Sequence, residues 1–179
     1  EQQAAKDAGA GYVRLELQWS SIEPVPTNPP TYNWEGYDSV FSGLASRGLG
    51  AMVIVMGCPP GACPDVLGPL NANSYGSFAR FVGAAAARYS RAPYSAHYWE
   101  LWNEPDDGGD ADGITKWGQH PAEFVQMLCQ AYPAITAADP QAVVMTGGIA
   151  FANWASQGGP VVSYLLAQLH QEGSAQLCD

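Results

Sequence analysis

Segments with the pattern of β-strands alternate with segments with the pattern of α-helices along this chain. Short apolar and β-branched runs predict strands at 12–17, 51–56, 97–102 and 142–146. Apolar residues at three- and four-residue spacing predict helices over 35–47, 73–89, 121–138 and 160–170, and residues 1–7 also look helical. Strands that alternate with helices form a parallel sheet joined by right-handed crossovers. We therefore predict an α/β fold, with one domain over residues 1–179.

Local signals support these segment boundaries. Residues 51–56 are almost entirely apolar, which is typical of a parallel strand buried on both faces. Gly48 and Gly50 end the preceding helix, because glycine can adopt the left-handed backbone at a helix end. Pro121 suits the first turn of a helix. The opening residues look like a helix already under way, so we expect a trimmed or truncated N-terminus.

Four strand–helix units fit either half of an eight-stranded barrel or a small doubly wound sheet. Neither a Gly-rich dinucleotide-binding motif after the first strand nor a phosphate-binding loop is present, which weakens the doubly wound alternative. Polar, aromatic or glycine residues follow each predicted strand: Gln18 and Trp19, Cys58 and Pro59, Asn103 and Glu104, Gly147 and Gly148. Barrel enzymes build their active sites at that edge of the sheet. The pattern therefore favours a partial (β/α)8 barrel.

The excess of acidic residues argues against some classes of binding partner. The chain has 7 Lys and Arg against 17 Asp and Glu, a formal net charge of −10. Nucleic acids and anionic membranes both need a basic surface, so we expect neither as a partner. No apolar run approaches the roughly 20 residues that span a bilayer. Neutral ligands such as sugars remain compatible, and the low charge content with many aromatic residues favours an extracellular or cell-surface bacterial protein.

The sharpest motif is Trp-Glu-Leu-Trp-Asn-Glu-Pro-Asp at 99–106. It places Glu104 just past a predicted strand, where a substrate could reach its carboxyl group. A glycosidase needs an acid that keeps its proton near neutral pH, and neighbouring Trp rings raise the cost of ionising a carboxyl. Asn103 can hydrogen-bond a sugar hydroxyl. The alternative is an ordinary turn, with Asn and Pro at the end of a strand.

A wider set of residues gives this motif a context. They are Gly11-Tyr12-Val13-Arg14, Trp19 with Ile22-Glu23-Pro24, Tyr32-Asn33-Trp34, Tyr37-Asp38, Arg47-Gly48-Leu49, and Trp99 to Pro105. In this order the chain resembles glycoside hydrolase clan A, namely the family-5-like cellulases and the related β-xylosidase families. The resemblance covers essentially the whole chain and implies that its four strands are the second to fifth of a TIM barrel.

The resemblance also implies residue roles and a reaction. Glu104 would be the general acid/base, Asn103 would contact the sugar 2-hydroxyl, and Arg14 would lie beneath the nucleophile. The reaction implied is retaining hydrolysis of O-glycosidic bonds in β-linked poly- or oligosaccharides. We expect a carbohydrate substrate and no cofactor.

The family's nucleophile, a second Glu at the end of the seventh strand, has no counterpart here. Retaining hydrolysis needs two carboxyl groups roughly 5 Å apart, and Glu23 is the least unsuitable of the remaining glutamates. We therefore expect the isolated chain to be a catalytically silent fragment. A half barrel exposes strand edges and apolar faces, so it should need the missing barrel half or self-associate. The alternative function is a non-catalytic carbohydrate-binding or scaffold fragment.

Charged and aromatic residues near the strands have two interpretations each. Arg14 and Glu100 both fall in strands, and a buried ion pair between them is favoured over a direct substrate role for Glu100. Trp rings can stack on sugars. The platforms expected to bind substrate are Trp19, Trp102 and Trp154, with Trp117 as a cover for the cleft; ordinary core burial is favoured for Trp34 and Trp99.

The spacing of the cysteine, histidine and aspartate residues does not predict a metal site. Cys58 and Cys63 are spaced for a small disulfide-closed loop, with free buried thiols as the alternative. No cysteine or histidine spacing fits a zinc site. The acidic stretch at 106–113 fails to align with an EF-hand, so a solvated loop is favoured over a looser calcium loop.

Overall fold

A computed structural model describes residues 1–65, 68–106 and 117–149. Its helices are α1 (Gln2–Asp7), α2 (Trp19–Ile22), α3 (Glu35–Ser46), α4 (Tyr75–Tyr89) and α5 (Pro121–Ala138). Its strands are β1 (Tyr12–Gln18), β2 (Gly50–Met56), β3 (Tyr98–Leu101) and β4 (Val143–Thr146). Short 3₁₀ turns lie at Ala72–Ser74 and Trp117–Gln119.

The four strands form one parallel sheet in the order β1-β2-β3-β4, so each strand lies beside its neighbour in sequence. This arrangement is the α/β architecture that the alternating pattern predicts. Consecutive parallel strands with helices between them match one part of a TIM barrel.

The strand register aligns side chains in rows across the sheet. Glu16 pairs with Ile54, Ile54 with Glu100, and Glu100 with Met145. Because side chains alternate between faces along a strand, this row lies on one side of the sheet. That side also carries Arg14 and is called the polar face; it is defined by Arg14, Glu16, Gln18 and Glu100.

The opposite side, called the helix face, is apolar. It is defined by Val13, Leu15, Leu17, Val53, Val55, Trp99 and Leu101. Val53 and Trp99 are fully buried in a core that includes Phe41 of α3 and Phe78 of α4. The core therefore lies between the sheet and its helices, where burial of apolar area drives folding.

Most predicted boundaries agree with the structure. β1, β2 and α3 begin or end within one residue of the prediction, and α5 has the predicted limits. The helix predicted from residue 73 begins at Tyr75 because a 3₁₀ turn precedes it. The short helix α2 was not predicted. The predicted helix over 160–170 lies outside the described residues.

Of the two states left open for Cys58 and Cys63, the structure has the disulfide, with the two Cα atoms 5.8 Å apart. It closes the segment that follows β2. Within the described part of the chain, none of the helices has the length and apolar character of a membrane span.

Candidate active site

Glu104 lies in the turn that follows β3, at the carboxyl edge of the sheet. Trp102 has a φ of 70° and Glu104 a φ of 50°, both in the left-handed region that residues with side chains rarely adopt. Two backbone hydrogen bonds hold this turn: Trp102 N–H donates to the Val55 oxygen at 2.9 Å, and Glu104 N–H donates to the Gly148 oxygen at 2.9 Å. The turn is therefore tied to β2 on one side and to the segment after β4 on the other.

The polar face beneath this turn carries an ion pair between β1 and β3. Arg14 donates to Glu100 through Nε to Oε2 at 2.9 Å and through Nη2 to Oε1 at 2.8 Å. This confirms the predicted pairing. The Glu100 side chain is 6% exposed and that of Arg14 is 46% exposed, so the carboxylate is buried while part of the guanidinium faces solvent.

Two further hydrogen bonds extend the pair toward Glu104. Arg14 Nη2 donates to Asn103 Oδ1 at 2.7 Å. Gly148 N–H donates to Glu100 Oε1 at 2.6 Å. The ion pair thus contacts the residue before Glu104 and the residue whose carbonyl oxygen accepts from the Glu104 amide.

The charges on this face reinforce one another. Burial opposes ionisation of Glu100, but hydrogen bonds from Arg14 and from the Gly148 amide outweigh it and hold the pKa of Glu100 below its usual value. The hydrogen bond to Glu100 raises the pKa of Arg14 despite its partial burial, and the negative charges of Glu100, Glu16 and Glu104 add to the rise. Arg14 therefore stays positive among three carboxylates.

The three predicted polar site residues lie together. Arg14, Asn103 and Glu104 share the carboxyl end of the polar face, and Arg14 contacts Asn103 directly. The Glu104 side chain is exposed, so it is accessible to a substrate. The Trp-lined burial expected around its carboxyl group is not formed by the described residues.

The tryptophans differ from the predicted platforms. Trp19 is fully buried and stacks on Phe81 with ring centroids 5.9 Å apart. Trp102 is buried edge-on between Phe78 and Trp117. Neither presents a free face for a sugar, so the expectation that Trp19 and Trp102 are stacking surfaces does not fit their burial. Trp117, the predicted cover, is also buried. Trp154 lies outside the described residues.

Glu23, the least unsuitable candidate for the missing nucleophile, is also in the core. It is 1% exposed, and its Oε2 accepts a hydrogen bond from Trp19 Nε1 at 2.7 Å. A cavity of about 280 Å³ lies beside it, lined by residues of the 22–33 segment and not by Glu104. Glu23 is thus placed as a partner for the Trp19 indole and not as an accessible carboxylate.

No group of three or more His, Cys, Asp and Glu side chains suited to a metal ion occurs within residues 1–65, 68–106 and 117–149. Of the acidic stretch considered as a calcium loop, the structure describes Asp106, which is buried. The other residues of that stretch, 107–113, lie outside the described residues.

Sequence reasoning did not assign a role to Gly148. The signal was present, because two glycines follow the last strand of the sheet, but the pairing of Gly148 with both Glu100 and Glu104 depends on the fold. A side chain on Gly147 would approach the Trp102 carbonyl oxygen and Pro105 Cδ, each at 2.8 Å. These glycines therefore let the end of β4 approach the turn that carries Glu104.

The sequence matches the family description "Cellulase (glycosyl hydrolase family 5)" over residues 2–171. No curated protein sequence matches the chain. Among solved structures, the endoglucanase Cel5A from Thermotoga maritima has 18% identity and a TM-score of 0.64, covering 90% of this chain and 47% of its own. The GH39 enzyme from Xanthomonas axonopodis pv. citri has 20% identity and a TM-score of 0.65, and the match covers 96% of this chain and 34% of that enzyme.

A monomeric β-xylosidase from Caulobacter crescentus CB15 is also similar, with 18% identity, a TM-score of 0.61, and coverage of 89% of this chain and 36% of its own. At these identities the likeness supports the shared fold. The chain spans between about a third and a half of the length of these three structures.

Proposed function

The chain belongs to glycosyl hydrolase family 5, within clan A. From this premise we propose that Glu104 is the general acid/base with which the full gene product hydrolyses O-glycosidic bonds of β-linked poly- or oligosaccharides. The observation that supports this most is the position of Glu104: an exposed carboxyl group at the carboxyl edge of a parallel sheet, beside Asn103 and above Arg14. Barrel enzymes place catalytic groups at this edge.

In the proposed reaction, Glu104 protonates the oxygen of the leaving group as the glycosidic bond breaks, and afterwards removes a proton from the attacking water. The exposed side chain suits both steps because substrate and water must reach the same carboxyl group. The left-handed backbone at Glu104 fixes the direction from which the side chain leaves the turn.

The hydrogen bonding of Asn103 supports the proposed contact with a sugar hydroxyl. Its Oδ1 already accepts from Arg14 Nη2, which leaves the Nδ2 hydrogens as donors. A donor beside the acid/base can hydrogen-bond the substrate's 2-hydroxyl as positive charge develops on the sugar ring. Arg14 therefore contributes indirectly, by fixing which end of the Asn103 amide faces the substrate.

We propose a retaining mechanism, which needs a second carboxylate as nucleophile about 5 Å from the first. Glu100 is bound by Arg14 and the Gly148 amide, and Glu23 is buried against Trp19. Glu16 is hydrogen-bonded by Gln18 within β1, and Glu35 and Glu123 lie on helices. These contacts favour a nucleophile outside the described residues.

An extracellular or cell-surface site is proposed for the protein. The disulfide between Cys58 and Cys63 supports it, because such bonds persist in oxidising environments. The net charge of −10 is compatible with a neutral carbohydrate as substrate.

The test uses the full gene product with a panel of aryl β-glycosides and soluble β-glucans. Glu104→Ala should lower turnover by about 10²- to 10⁴-fold, and added azide should restore it on aryl substrates with good leaving groups. A β-configured glycosyl azide would be the product, since azide attacks the glycosyl-enzyme without needing a base. Glu35→Ala, at an exposed glutamate on α3, is the matched control.

Turnover that is unchanged in Glu104→Ala would remove Glu104 from the mechanism. An α-configured azide product would contradict retention. Binding of β-glucans with no hydrolysis by the unaltered protein would favour the carbohydrate-binding function in place of the enzyme.

A further inference from the structure

We propose that Glu100 is a positioning residue, whose buried carboxylate fixes Gly148 so that the Gly148 carbonyl oxygen holds the backbone of Glu104 in its left-handed conformation. The inference rests on the proposed role of Glu104. It adds to that role a residue that does not touch the substrate and a backbone link between β3 and the end of β4.

The link consists of two short hydrogen bonds through one residue. Gly148 N–H donates to Glu100 Oε1 at 2.6 Å, and the Gly148 oxygen accepts from Glu104 N–H at 2.9 Å. Both backbone polar groups of Gly148, its N–H and its carbonyl oxygen, are therefore hydrogen-bonded. We expect a shift of Gly148 away from Glu100 to weaken the bond between the Gly148 oxygen and the Glu104 amide.

Glu100 has no acceptor atom to spare. Its Oε2 accepts from Arg14 Nε, while Oε1 accepts from both Arg14 Nη2 and Gly148 N–H. At 5% exposure it is shielded from a substrate. An ionised carboxylate fits this position because three N–H donors converge on its two oxygens. A glutamine here would point its N–H group at one of these donors in either orientation of the amide.

The turn at Glu104 needs such support. Left-handed backbone is unfavourable for a residue with a side chain and persists where surrounding contacts fix it. Trp102 and Glu104 both adopt it, on either side of Asn103. The Trp102 amide bonds to β2 and the Glu104 amide bonds to Gly148, so the second of these supports depends on Glu100.

The absence of a side chain at Gly148 is needed for this link between Glu100 and Glu104. A Cβ atom there would lie 3.3 Å from Glu100 Oε1 and 3.5 Å from Arg14 Nη2, which is tighter than ordinary packing beside the acceptor. Gly148→Ala should therefore push the segment away from Glu100 without removing any charge. The two substitutions, Glu100→Gln and Gly148→Ala, disturb the same link by different means.

The first measurement is amide hydrogen exchange by NMR on the full gene product. Exchange of the Glu104 amide should accelerate about tenfold or more in Glu100→Gln and in Gly148→Ala, as expected when a charge-assisted hydrogen bond is lost. Amides in β2 should keep their protection. Glu16→Gln is the matched control, because Glu16 lies in the same row of the sheet, interacts with the Arg14 charge and accepts its side-chain hydrogen bond from Gln18.

The second measurement is steady-state kinetics of the full gene product. Glu100→Gln should lower kcat by about 10- to 100-fold, as misplaced catalytic groups do, with KM changed less than about threefold. A merely structural role would lower the active fraction, which active-site titration corrects, and would leave kcat per active site unchanged.

The outcomes separate the positioning role from the proposed function. Glu104 exchange that is unchanged in both variants overturns the positioning role whatever the kinetics show. If Glu100→Gln fails to fold, Gly148→Ala alone decides the point. Turnover that survives Glu104→Ala overturns the proposed function, while the exchange data still decide whether Glu100 holds the turn.

Discussion

On the helix face of the sheet, Val53 and Trp99 are fully buried in the core that also contains aromatic side chains of α3 and α4. On the polar face, Arg14, Glu100 and Asn103 are joined by hydrogen bonds of 2.7–2.9 Å, and the exposed Tyr12 lies at the sheet edge. Apolar packing fixes the side chains of the helix face, whereas ion pairs and directional hydrogen bonds fix those of the polar face. One alternating strand can therefore serve stability with the side chains on one side and chemistry with those on the other.

Trp99 and Tyr98 give the sharpest test of this comparison, because they are adjacent aromatic residues on β3 with side chains on opposite faces. Trp99→Ala should lower the free energy of unfolding by about 3–5 kcal/mol, through lost burial and a residual cavity. Tyr98→Ala, at a partly exposed position, should cost about 1–2 kcal/mol. Urea denaturation measures both, and equal losses would break the distinction between the faces.

Glu100 should give a smaller, pH-dependent effect. Its folded-state pKa lies below the usual value of 4.5, so its stabilising contribution is present above pH 4.5 and is lost as the pH falls through the folded pKa. At pH 7, Glu100→Gln should cost about 1–2 kcal/mol, less than for a fully buried pair because Arg14 is half exposed.

Stability curves between pH 7 and pH 2 test this prediction. The difference between the unaltered protein and Glu100→Gln should shrink toward acid pH, while Glu35→Gln should follow the unaltered protein throughout. A difference that stays constant across the range would show that the charge of Glu100 contributes nothing to stability.

Asp38 should give the smallest effect. It accepts hydrogen bonds from Arg88 and from the Tyr89 hydroxyl and thereby links α3 to α4 on the outer surface. The hydrogen bonds from Arg88 lower the pKa of Asp38 despite partial burial. Asp38→Asn should cost about 0.5–1 kcal/mol, since Arg88 is 40% exposed. Urea denaturation at pH 7 measures both losses, and a loss above that of Glu100→Gln would reverse the proposed ranking of the two ion pairs.

The strands and helices could be predicted from the sequence because their signals are local. The apolar run at β2, the glycines after α3 and Pro121 at the start of α5 each mark a boundary without reference to the rest of the chain. The pairing of Arg14 with Glu100 could also be predicted, because both residues fall in predicted strands and a charge left without a partner inside a sheet is costly.

The burial of the tryptophans could not be predicted in this way. Trp19 follows a strand end, as a substrate platform would, but the short helix α2 turns it toward Phe78 and Phe81 of α4, about sixty residues later in the chain. The left-handed turn at Trp102 likewise directs its ring inward. The sequence shows that these tryptophans follow a strand. It does not show which way their side chains point, because that depends on packing against residues far away in the chain.

The most direct test of the central claim compares Glu104→Gln with Glu16→Gln in the full gene product, with turnover and unfolding free energy measured on the same samples. Both residues are exposed glutamates that interact with the Arg14 charge. Glu104→Gln should lower turnover of aryl β-glycosides by about 10²- to 10⁴-fold with stability changed by less than about 0.5 kcal/mol, and Glu16→Gln should retain turnover. Turnover within a few-fold of the unaltered protein in Glu104→Gln would contradict the assignment of Glu104 as the general acid/base.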